Sequence, residues 1–315
     1  MNAAGATELP EGVRAALAPA SDAAAAEAFT RDLAHGHYEN FSVVSLLLPK
    51  HLRQDFCNVY AFCRTADDLG DELGDPARSL EELDRFKERT RACFAGEASA
   101  AVLVALAGTI RRHDLPITPF LDLIDAFEQD QRVTRYDTFE QVVDYCRRSA
   151  DPVGRLVLYL CGYRDAERQA LSDKTCTALQ LANFWQDVRR DLIERDRIYL
   201  PRDSMERFGV SEETLRRQID AGHADESFRQ LMRFEVDRTA ALFEQGKPLL
   251  PMLRPGVRKQ IALFGKGEQA VLEAIRRQQY DTLKRRPALS RWQKGRLVIA
   301  TLAAYVGRSL GGGGE

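Results

Sequence analysis

The chain has 315 residues, which is enough for one large domain or two small ones. Its 45 lysines and arginines nearly balance 47 aspartates and glutamates, and the formal net charge of −2 argues against a protein that binds nucleic acid by bulk electrostatics. The 6 cysteines form no C-x-x-C pair and lie in or near apolar stretches, so we expect reduced core residues and a cytoplasmic protein rather than a disulfide scaffold.

The N-terminal stretch "MNAAGATELPEGVRAALAPASDAAAAEAF" lacks the basic and apolar regions of a signal peptide. We expect residues 1–29 to form an Ala-rich leader that is disordered or loosely helical. No stretch approaches the ~20 apolar residues that span a bilayer. A cytoplasmic location follows as the expectation, with peripheral attachment at the inner face of the membrane left open.

Helical periodicity dominates the rest of the chain, because "EQVVDYC", "LVLYLCGY" and "CTALQLANFWQDV" place apolar residues at spacings of three and four. Turn signals such as Pro49 and Gly74-Asp75-Pro76 separate these stretches, and Ser211 is a predicted helix N-cap. The pattern predicts an all-α, single-domain helical bundle over residues 30–308, followed by a Gly-rich tail over 309–315.

The stretch "TADDLGDE" sets four carboxylates directly after the apolar "CNVYAFCR". On a helix, one side carries what we call the first acidic stripe, with residues at spacings of three, four and seven. Its members are Tyr60, Arg64, Asp67 and Asp71, with Asp68 at its edge and Glu72 rotated further away. Taken alone, such a stripe is more often a solvated helix face.

A second acidic stripe lies on "LQLANFWQDVRRDLIERDRIYLP", where Gln180, Asn183, Asp187 and Asp191 form one narrow line on an otherwise apolar helix. Buried carboxylates must be protonated, paired or bound to a cation. Oxygen ligands without histidine or cysteine suit Mg²⁺, which commonly bridges carboxylates to substrate phosphates. Two such stripes therefore predict two facing helices that hold Mg²⁺ and a diphosphate.

A metal-bound diphosphate is a good leaving group, and an allylic or cyclopropylcarbinyl group that loses it becomes a carbocation. Such a cation needs an apolar, nearly dry cavity with aromatic faces. The sequence offers aromatic residues for that cavity, although core packing is the default interpretation for each: Phe41, Tyr60, Phe62, Phe127, Tyr145, Phe184 and Trp185.

The stretch "HYENFSVVSLLLPKHLRQDFCNVYAFCRTADDLGDE" resembles the first signature of the squalene and phytoene synthases, within the trans-isoprenyl diphosphate synthases, and the second acidic stripe resembles their second signature. "RYDTFEQVVDYCRRSADPVGRLV" resembles their segment with a catalytic tyrosine, here Tyr145. "HYENFSV" and "CRRSADPVGRLVL" are most similar to the hydroxysqualene synthase branch of bacterial hopanoid biosynthesis. The resemblance implies an isoprenoid synthase-type bundle with a central active-site cavity. It also implies Mg²⁺-dependent ionisation of presqualene diphosphate, with water capture of the rearranged cation to give hydroxysqualene and diphosphate.

The resemblance also implies residue roles. The expected Mg²⁺ ligands are Asp67, Asp71, Asp187 and Asp191, with help from Asn183 and Gln180. Arg64 is expected to contact the diphosphate, and the other substrate-binding residues are His37, Asn40, Phe41, Tyr60 and Tyr199. The expected catalytic residues are Tyr145, Arg64 and Asp151. Asp151 departs from the "VAGxVG"-like run of typical squalene and phytoene synthases, so it is either a residue that positions the capturing water or a helix-bend residue before Pro152.

Three alternatives stay open. The first is a head-to-head condensing synthase (presqualene diphosphate, squalene or phytoene synthase) that acts on two allylic diphosphates with the same metal site. The second is a non-catalytic all-helical interaction protein. A metal hydrolase is the weakest, because the 5 histidines are scattered and no activated nucleophile is evident.

The expected partners follow from the apolar substrate: an isoprenoid diphosphate, a membrane surface for product release, and functional coupling to other enzymes of the squalene pathway. No nucleic-acid partner is expected. "GKGEQA" lacks a surrounding βαβ pattern and is rejected as a dinucleotide site, while use of a nicotinamide cofactor stays open. The polar stretch "QDQRVTRYDTF" (129–139) is predicted to be a mobile flap.

Overall fold

The computed structural model describes residues 8–20, 22–36 and 49–287. Within these residues all regular structure is helical. Only isolated β-bridges occur there, between Pro19 and Ala100 and between Arg135 and Ile198. The predicted all-α fold class is confirmed.

The described part of the chain contains thirteen α-helices, which we number in chain order. They are α1 (Glu11–Leu17), α2 (Ala23–Gly36), α3 (Arg53–Asp71), α4 (Pro76–Phe94), α5 (Ala101–His113), α6 (Thr118–Asp130), α7 (Phe139–Ser149), α8 (Asp151–Leu160), α9 (Ala166–Arg195), α10 (Arg202–Arg207), α11 (Glu212–Ala221), α12 (Glu226–Gly246) and α13 (Pro255–Arg277). Two 3₁₀ segments, Lys50–Leu52 and Lys247–Met252, precede α3 and α13. No helix in the described part of the chain combines the length and the apolar character needed to cross a membrane.

The chain divides into two compact units. Unit 1 comprises Met1–Val133 and Pro152–Arg164, and unit 2 comprises Thr134–Asp151 and Asp165–Glu315. The sequence predicts one domain over residues 30–308, whereas the structure divides that range into two units whose segments alternate along the chain. The predicted central cavity stays a prediction.

Aromatic packing fixes α3 in the core of unit 1. The Phe62 ring of α3 stacks on Phe86 of α4 with centroids 5.1 Å apart, and it meets the Phe120 ring of α6 edge-on at 4.9 Å. All three rings are buried, so this contact contributes dispersion and hydrophobic free energy. The apolar face of "CNVYAFCR" therefore points into the unit and sets the orientation of the acidic turns that follow.

Gly70 lets α6 approach the acidic end of α3 closely. A Cβ at this position would lie 3.3 Å from Cβ of Phe127, so a larger residue would push the two helices apart. The Gln131 side-chain amide donates to the Gly70 carbonyl at 2.9 Å, which ties the end of α6 to the same turn. Gly70 thus lets α6 pack directly against the turn of α3 that carries the carboxylates of the first acidic stripe.

The described part of the predicted leader contains α1 and the start of α2. Val13 and Ala16 of α1 are buried in the core of unit 1. Thr30 of α2 donates a hydrogen bond to Asn58 of α3 at 2.6 Å. The expected boundary at residue 30 lies inside α2, so residues 11–17 and 23–29 belong to unit 1 and are not a loose leader.

Helix α9 is the long element of unit 2, with 30 residues. Its Trp185 side chain is fully buried, and the indole Nε1 donates to Thr239 Oγ1 of α12 at 2.8 Å. Leu181 and Leu192 are buried along the same helix, as the apolar circumference in the sequence predicts. The predicted N-cap is also confirmed, since Ser211 Oγ accepts from the Thr214 amide at 3.1 Å.

Candidate functional site

The acidic end of α3 is organised around Arg64. Its guanidinium donates to Asp67 Oδ2 and to Glu72 Oε1, at 3.0 Å each, and forms a third ion pair with Asp68. Burial opposes the charged form of Arg64, but the neighbouring carboxylates, Asp68 first, raise its pKa. Arg64, the residue expected to contact the diphosphate, is therefore held in place by the carboxylates of the first acidic stripe.

Asp68 is the buried carboxylate of the first acidic stripe, although the helical projection places it at the edge. Its side chain is 9% exposed, against 39% for Asp67. Burial raises the pKa of Asp68 to about 7, and the charge of Arg64 opposes this rise. Within the described residues its Oδ1 has no hydrogen-bond partner, because the Arg64 contact is an ion pair without hydrogen-bond geometry. Asp67 and Asp71 remain the more accessible carboxylates of the stripe, as the predicted metal roles require.

The second acidic stripe combines exposed and buried ligand candidates on α9. Asn183 is exposed, Gln180 and Asp187 are half-buried, and Asp191 is buried. Burial raises the pKa of Asp191 to about 7, and the negative charge of Asp187 adds to the rise. The Asp191 carboxylate thus lies in an environment that opposes its charge.

Asp187 is held by an arginine from the C-terminal part of the chain. Arg286 Nη2 donates to Asp187 Oδ2 at 2.8 Å, and its Nε donates to Oδ1. The same Nη2 donates to Gln186 Oε1 at 3.1 Å, while the Gln186 amide bonds to the Pro287 carbonyl. Both carboxylate oxygens of Asp187, a predicted metal ligand, are therefore bonded to an arginine. Arg286 lies in the stretch "KRRP" at 284–287, and the sequence does not indicate which carboxylate this arginine binds.

The donor chemistry of each stripe fits a hard cation. All candidate ligands are carboxylate or amide oxygens, which are the ligands that Mg²⁺ prefers. Within the described ranges no three acidic, histidine or cysteine side chains form a group that could hold a metal ion alone.

Four aromatic rings meet in unit 2, and we call them the aromatic cluster. The ring of Phe184 on α9 stacks on Tyr199 with centroids 3.7 Å apart and planes 6° apart. Tyr145 of α7 lies 6.0 Å from Phe184 and 5.9 Å from Tyr199, and Tyr136 lies 5.9 Å from Tyr145. The structure thus brings together two predicted site residues, Tyr145 and Tyr199, and adds Tyr136, which the sequence analysis missed.

The predicted flap over 129–139 is tied down in its second half. The Ile198 amide donates to the Thr134 carbonyl, and the Arg202 amide donates to the Tyr136 carbonyl, both at 2.9 Å. These backbone bonds join the segment to the chain that follows α9. The prediction of a mobile flap is therefore wrong for this half, which carries a ring of the aromatic cluster.

An alternating group of four charges locks the same segment. Arg135 donates to both carboxylate oxygens of Glu212, at 3.0 and 2.9 Å, and to Asp196 Oδ1 at 2.9 Å. Arg216 donates to Asp196 at 2.6 Å and to Glu212 at 2.8 Å. The hydrogen bond from Arg135 is the main reason that the pKa of Glu212 falls to about 2.

Asp151 is buried at the first position of α8 and is 3% exposed. Its Oδ1 accepts a hydrogen bond from Thr177 Oγ1 of α9 at 2.9 Å, and both residues belong to unit 2. A carboxylate in the first turn also suits the helix dipole. This position is compatible with both predicted roles, water handling and helix geometry.

A model of the squalene/phytoene synthase family matches residues 34–293 of the chain. The chain belongs to the squalene/phytoene synthase family. As a member of this family it is an isoprenoid synthase that acts on diphosphates, and the alternatives of a non-catalytic interaction protein and of a hydrolase fall away.

Relatives within the squalene/phytoene synthase family carry different names. The crystal structure of squalene synthase HpnC from Alicyclobacillus acidocaldarius is 49% identical with a TM-score of 0.76, covering 82% of this chain and 95% of that one. A 15-cis-phytoene synthase from Synechococcus elongatus is 31% identical, over 88% of this chain and 92% of its own. A hydroxysqualene synthase from Zymomonas mobilis is 35% identical, over 67% of this chain and 69% of its own.

The predicted site residues of this member of the squalene/phytoene synthase family fall into three groups. Those in unit 1 lie together on α3: Tyr60, Arg64, Asp67 and Asp71. Those in unit 2 lie on α7 to α9 and the chain after α9: Tyr145, Asp151, Gln180, Asn183, Asp187, Asp191 and Tyr199. His37, Asn40 and Phe41 lie outside the described residues. That the two acidic stripes face each other stays a prediction.

Proposed function

We propose that the chain is a Mg²⁺-dependent hydroxysqualene synthase. It would ionise presqualene diphosphate, allow the cation to rearrange, and let water capture it, which releases hydroxysqualene and diphosphate. The observation that carries this proposal is the buried Asp151 carboxylate, held by Thr177, where typical squalene and phytoene synthases have a run of small residues. Identity of 49% to squalene synthase HpnC and of 35% to a hydroxysqualene synthase supports the same choice.

The two acidic stripes would hold the metal. Asp67 and Asp71 of α3 and Asp187 and Asp191 of α9 are the proposed carboxylate ligands, with Asn183 as a neutral oxygen ligand. When bound, Mg²⁺ neutralises the charge that develops on the diphosphate as its C–O bond breaks. The raised pKa of Asp191 supports this role, because a buried carboxylate beside a second one is stabilised by a cation.

The remaining polar residues would bind and orient the diphosphate. Arg64 reaches it with a guanidinium already oriented by Asp67 and Glu72, so little conformational entropy is lost on binding. Gln180 would donate from its amide. Tyr60, His37 and Asn40 complete the proposed polar contacts, and Phe41 would line the pocket of the isoprenoid chain.

The aromatic cluster would stabilise the carbocation. Tyr145, Tyr199 and Phe184 offer ring faces that attract positive charge without a nucleophilic atom in the face itself. Their burial keeps bulk water away, which delays capture until rearrangement is complete.

Product analysis tests this function directly. The purified protein is incubated with presqualene diphosphate and Mg²⁺ without a nicotinamide cofactor, and the extract is analysed by mass spectrometry. We expect hydroxysqualene and one diphosphate per turnover. A second incubation contains farnesyl diphosphate alone, and a condensation product there, with no alcohol in the first, contradicts the proposal.

The alternative function is head-to-head condensation of two allylic diphosphates. It is favoured by the 31% identity to a 15-cis-phytoene synthase over 88% of the chain. The same carboxylates and Arg64 would serve both reactions, so only the two incubations separate them. Because the product of either reaction is very apolar, a cytoplasmic enzyme that associates with a membrane surface and works beside other squalene-pathway enzymes is part of the proposal.

The Arg286–Asp187 ion pair predicts competition with the metal. Removal of the guanidinium by Arg286→Ala frees the Asp187 carboxylate, which is 14% exposed. We expect the apparent Kd for Mg²⁺ alone to fall about fivefold, the size of an ion pair of about 1 kcal/mol. Isothermal titration without substrate measures this change.

The matched control is Arg285→Ala, which removes the same charge one residue away. Arg285 donates to Gln278 Oε1 at 2.8 Å, whereas the guanidinium bonded to Asp187 is that of Arg286. Equal Mg²⁺ affinities in the two variants would show that the ion pair does not compete with the metal.

A further inference from the structure

The Arg64 guanidinium is held at the end of α3 through two separate nitrogens. Nη1 donates to Asp67 Oδ2 at 3.0 Å, while Nη2 donates to Glu72 Oε1 at 3.0 Å and forms the ion pair with Asp68. A guanidinium is a rigid plane of donors, so a bond at one nitrogen also orients the other. The Nη2 side of Arg64 can therefore stay fixed while the Nη1 side changes its partner.

The three carboxylates around Arg64 differ in their access to solvent. Side-chain exposure is 39% for Asp67 and 49% for Glu72, but only 9% for Asp68. Water and salt screen an ion pair with an exposed carboxylate, so such a pair contributes little to the orientation of an arginine. The pair with the buried Asp68 is screened less, and it is therefore the strongest of the three restraints on the guanidinium.

Asp67 is also a proposed metal ligand, which gives Asp68 a separate role. Coordination of Asp67 to Mg²⁺ would offset the charge of this carboxylate, so Arg64 Nη1 would lose much of its attraction to it. Nη1 would then be available to donate to an oxygen of the diphosphate. Nη2 would keep its contact with Asp68, because this contact does not involve the metal ligand.

The stability of α3 does not account for a carboxylate at position 68. Asp68 lies in the last turn of the helix, where the helix dipole disfavours a negative charge. Its burial opposes that charge as well. Among the described residues, the cation that pairs with Asp68 is Arg64. A buried ion pair is weak evidence for stability and can instead fix one conformation, here that of Arg64.

We propose that Asp68 is a positioning residue for Arg64, which keeps the guanidinium in place when Asp67 is engaged by the metal, so that Nη1 can donate to the diphosphate. This inference rests on the proposed function, in which Asp67 binds Mg²⁺ and Arg64 contacts the diphosphate. In this role Asp68 touches neither the metal nor the substrate. Its effect on diphosphate binding passes through Arg64 and should disappear when Arg64 is absent.

A double-mutant cycle between Asp68 and Arg64 tests this dependence. The Kd of inorganic diphosphate is measured by isothermal titration at saturating Mg²⁺ for the wild type, Asp68→Asn, Arg64→Met and the double variant. We expect Asp68→Asn to raise this Kd about fivefold in the wild-type background and less than about twofold in the Arg64→Met background, because residues in contact couple and independent residues do not. Asp68→Ala replaces Asp68→Asn in the cycle if the latter does not fold.

Two further variants separate positioning from general effects. Glu72→Gln removes the exposed partner of the same Nη2, so we expect a smaller rise in Kd than for Asp68→Asn. Asp55→Asn removes another buried carboxylate of α3, which is bonded to Arg112 Nε at 3.1 Å and to the His113 ring at 2.8 Å. Asp55 lies about 20 Å along the helix from Asp68. Its loss should lower the unfolding temperature and leave the Kd for diphosphate within about twofold of the wild type.

The outcomes that overturn the inference are distinct from failure of the proposed function. A rise in Kd of equal size in both backgrounds shows that Asp68 does not act through Arg64. An unchanged Kd in folded Asp68→Asn, with a clear loss of affinity in Arg64→Met, overturns the inference alone. In titrations with Mg²⁺ alone, a loss of affinity in Asp68→Asn as large as that in Asp67→Asn shows that Asp68 is a metal ligand instead. If the wild-type protein with Mg²⁺ binds no diphosphate, or if Arg64→Met binds it normally, the proposed function fails at this site and the inference fails with it.

Discussion

Asp191→Asn is expected to lower the turnover of presqualene diphosphate by about a hundredfold or more. The substitution keeps the size of the side chain but removes the charge that a proposed Mg²⁺ ligand must carry, and metal stabilisation of a leaving group contributes several kcal/mol to a barrier. The same variant should unfold at the wild-type temperature or above it in metal-free buffer. Burial and Asp187 raise the pKa of Asp191 to about 7, so the native fold opposes this charge.

Activity and stability are therefore expected to move in opposite directions at this position. Steady-state diphosphate release gives the first quantity, and thermal unfolding with and without Mg²⁺ gives the second. Wild-type protein should be stabilised by Mg²⁺ with diphosphate, and Asp191→Asn should lose most of that shift. Glu194→Gln is the control, because Glu194 is exposed and pairs with Arg190 on the same helix. Near-wild-type activity of Asp191→Asn would remove this residue from the metal site.

Asp187→Asn should lower activity to a similar extent but behave differently in stability. Asp187 is bonded to Arg286 through both carboxylate oxygens, so its loss also weakens the attachment of residues 283–287 to α9, which the bonds from Gln186 and Arg189 still maintain. We therefore expect a small decrease in unfolding temperature for Asp187→Asn and none for Asp191→Asn. The two variants differ in unfolding temperature because only Asp187 is bonded to Arg286. The sequence pattern alone, with two aspartates on one stripe, predicts no such difference.

Features that depend on local spacing follow from the sequence. The period of 3.6 residues predicts an all-α fold and places Gln180, Asn183, Asp187 and Asp191 on one side of α9. The same period predicts burial of the apolar residues around that stripe. The N-cap role of Ser211 can be predicted because capping involves residues only three positions apart.

Features that depend on distant pairs do not follow from the sequence. Arg286 meets Asp187 across 99 residues, and Arg135 meets Glu212 across 77. Many arginines and carboxylates are available in a chain with this composition, so spacing alone selects none of them. The sequence analysis misses Tyr136 for the same reason. A backbone bond to Arg202, after α9, holds Tyr136 where its ring contacts Tyr145.

The burial of Asp68 shows the limit of a helical projection. A projection assigns sides of a helix but does not show which neighbour covers each side. Gly70 lets α6 approach within van der Waals contact, and Asp68 lies in the buried part of this turn beside Arg64. Likewise, the short helix α1 carries only two buried side chains, Val13 and Ala16, too few for a periodic signal.

Trp185→Ala is expected to lower the free energy of unfolding of unit 2 by about 3–5 kcal/mol, the usual cost of removing a large buried side chain. The indole is fully buried where α9 packs on α12, and its Nε1 donates to Thr239 Oγ1. Thr239 in turn donates to the Glu235 carbonyl at 2.8 Å, so the substitution leaves a cavity and a buried hydroxyl without its donor. Urea denaturation followed by circular dichroism measures the change.

Ile193→Ala is the control for Trp185→Ala, because Ile193 lies on the same helix and is 57% exposed, so its loss should cost less than about 0.5 kcal/mol. Similar costs for the two variants would contradict the assigned packing.

Trp185 also adjoins the second acidic stripe in sequence but points away from it into the core. If α9 holds its carboxylates in place through this anchor, Trp185→Ala should weaken Mg²⁺ binding together with stability. Asp191→Asn, in contrast, should strongly weaken Mg²⁺ binding while stability is kept. Separate readouts of metal affinity and unfolding in these two variants therefore distinguish the residues that bind the ion from the packing that positions them.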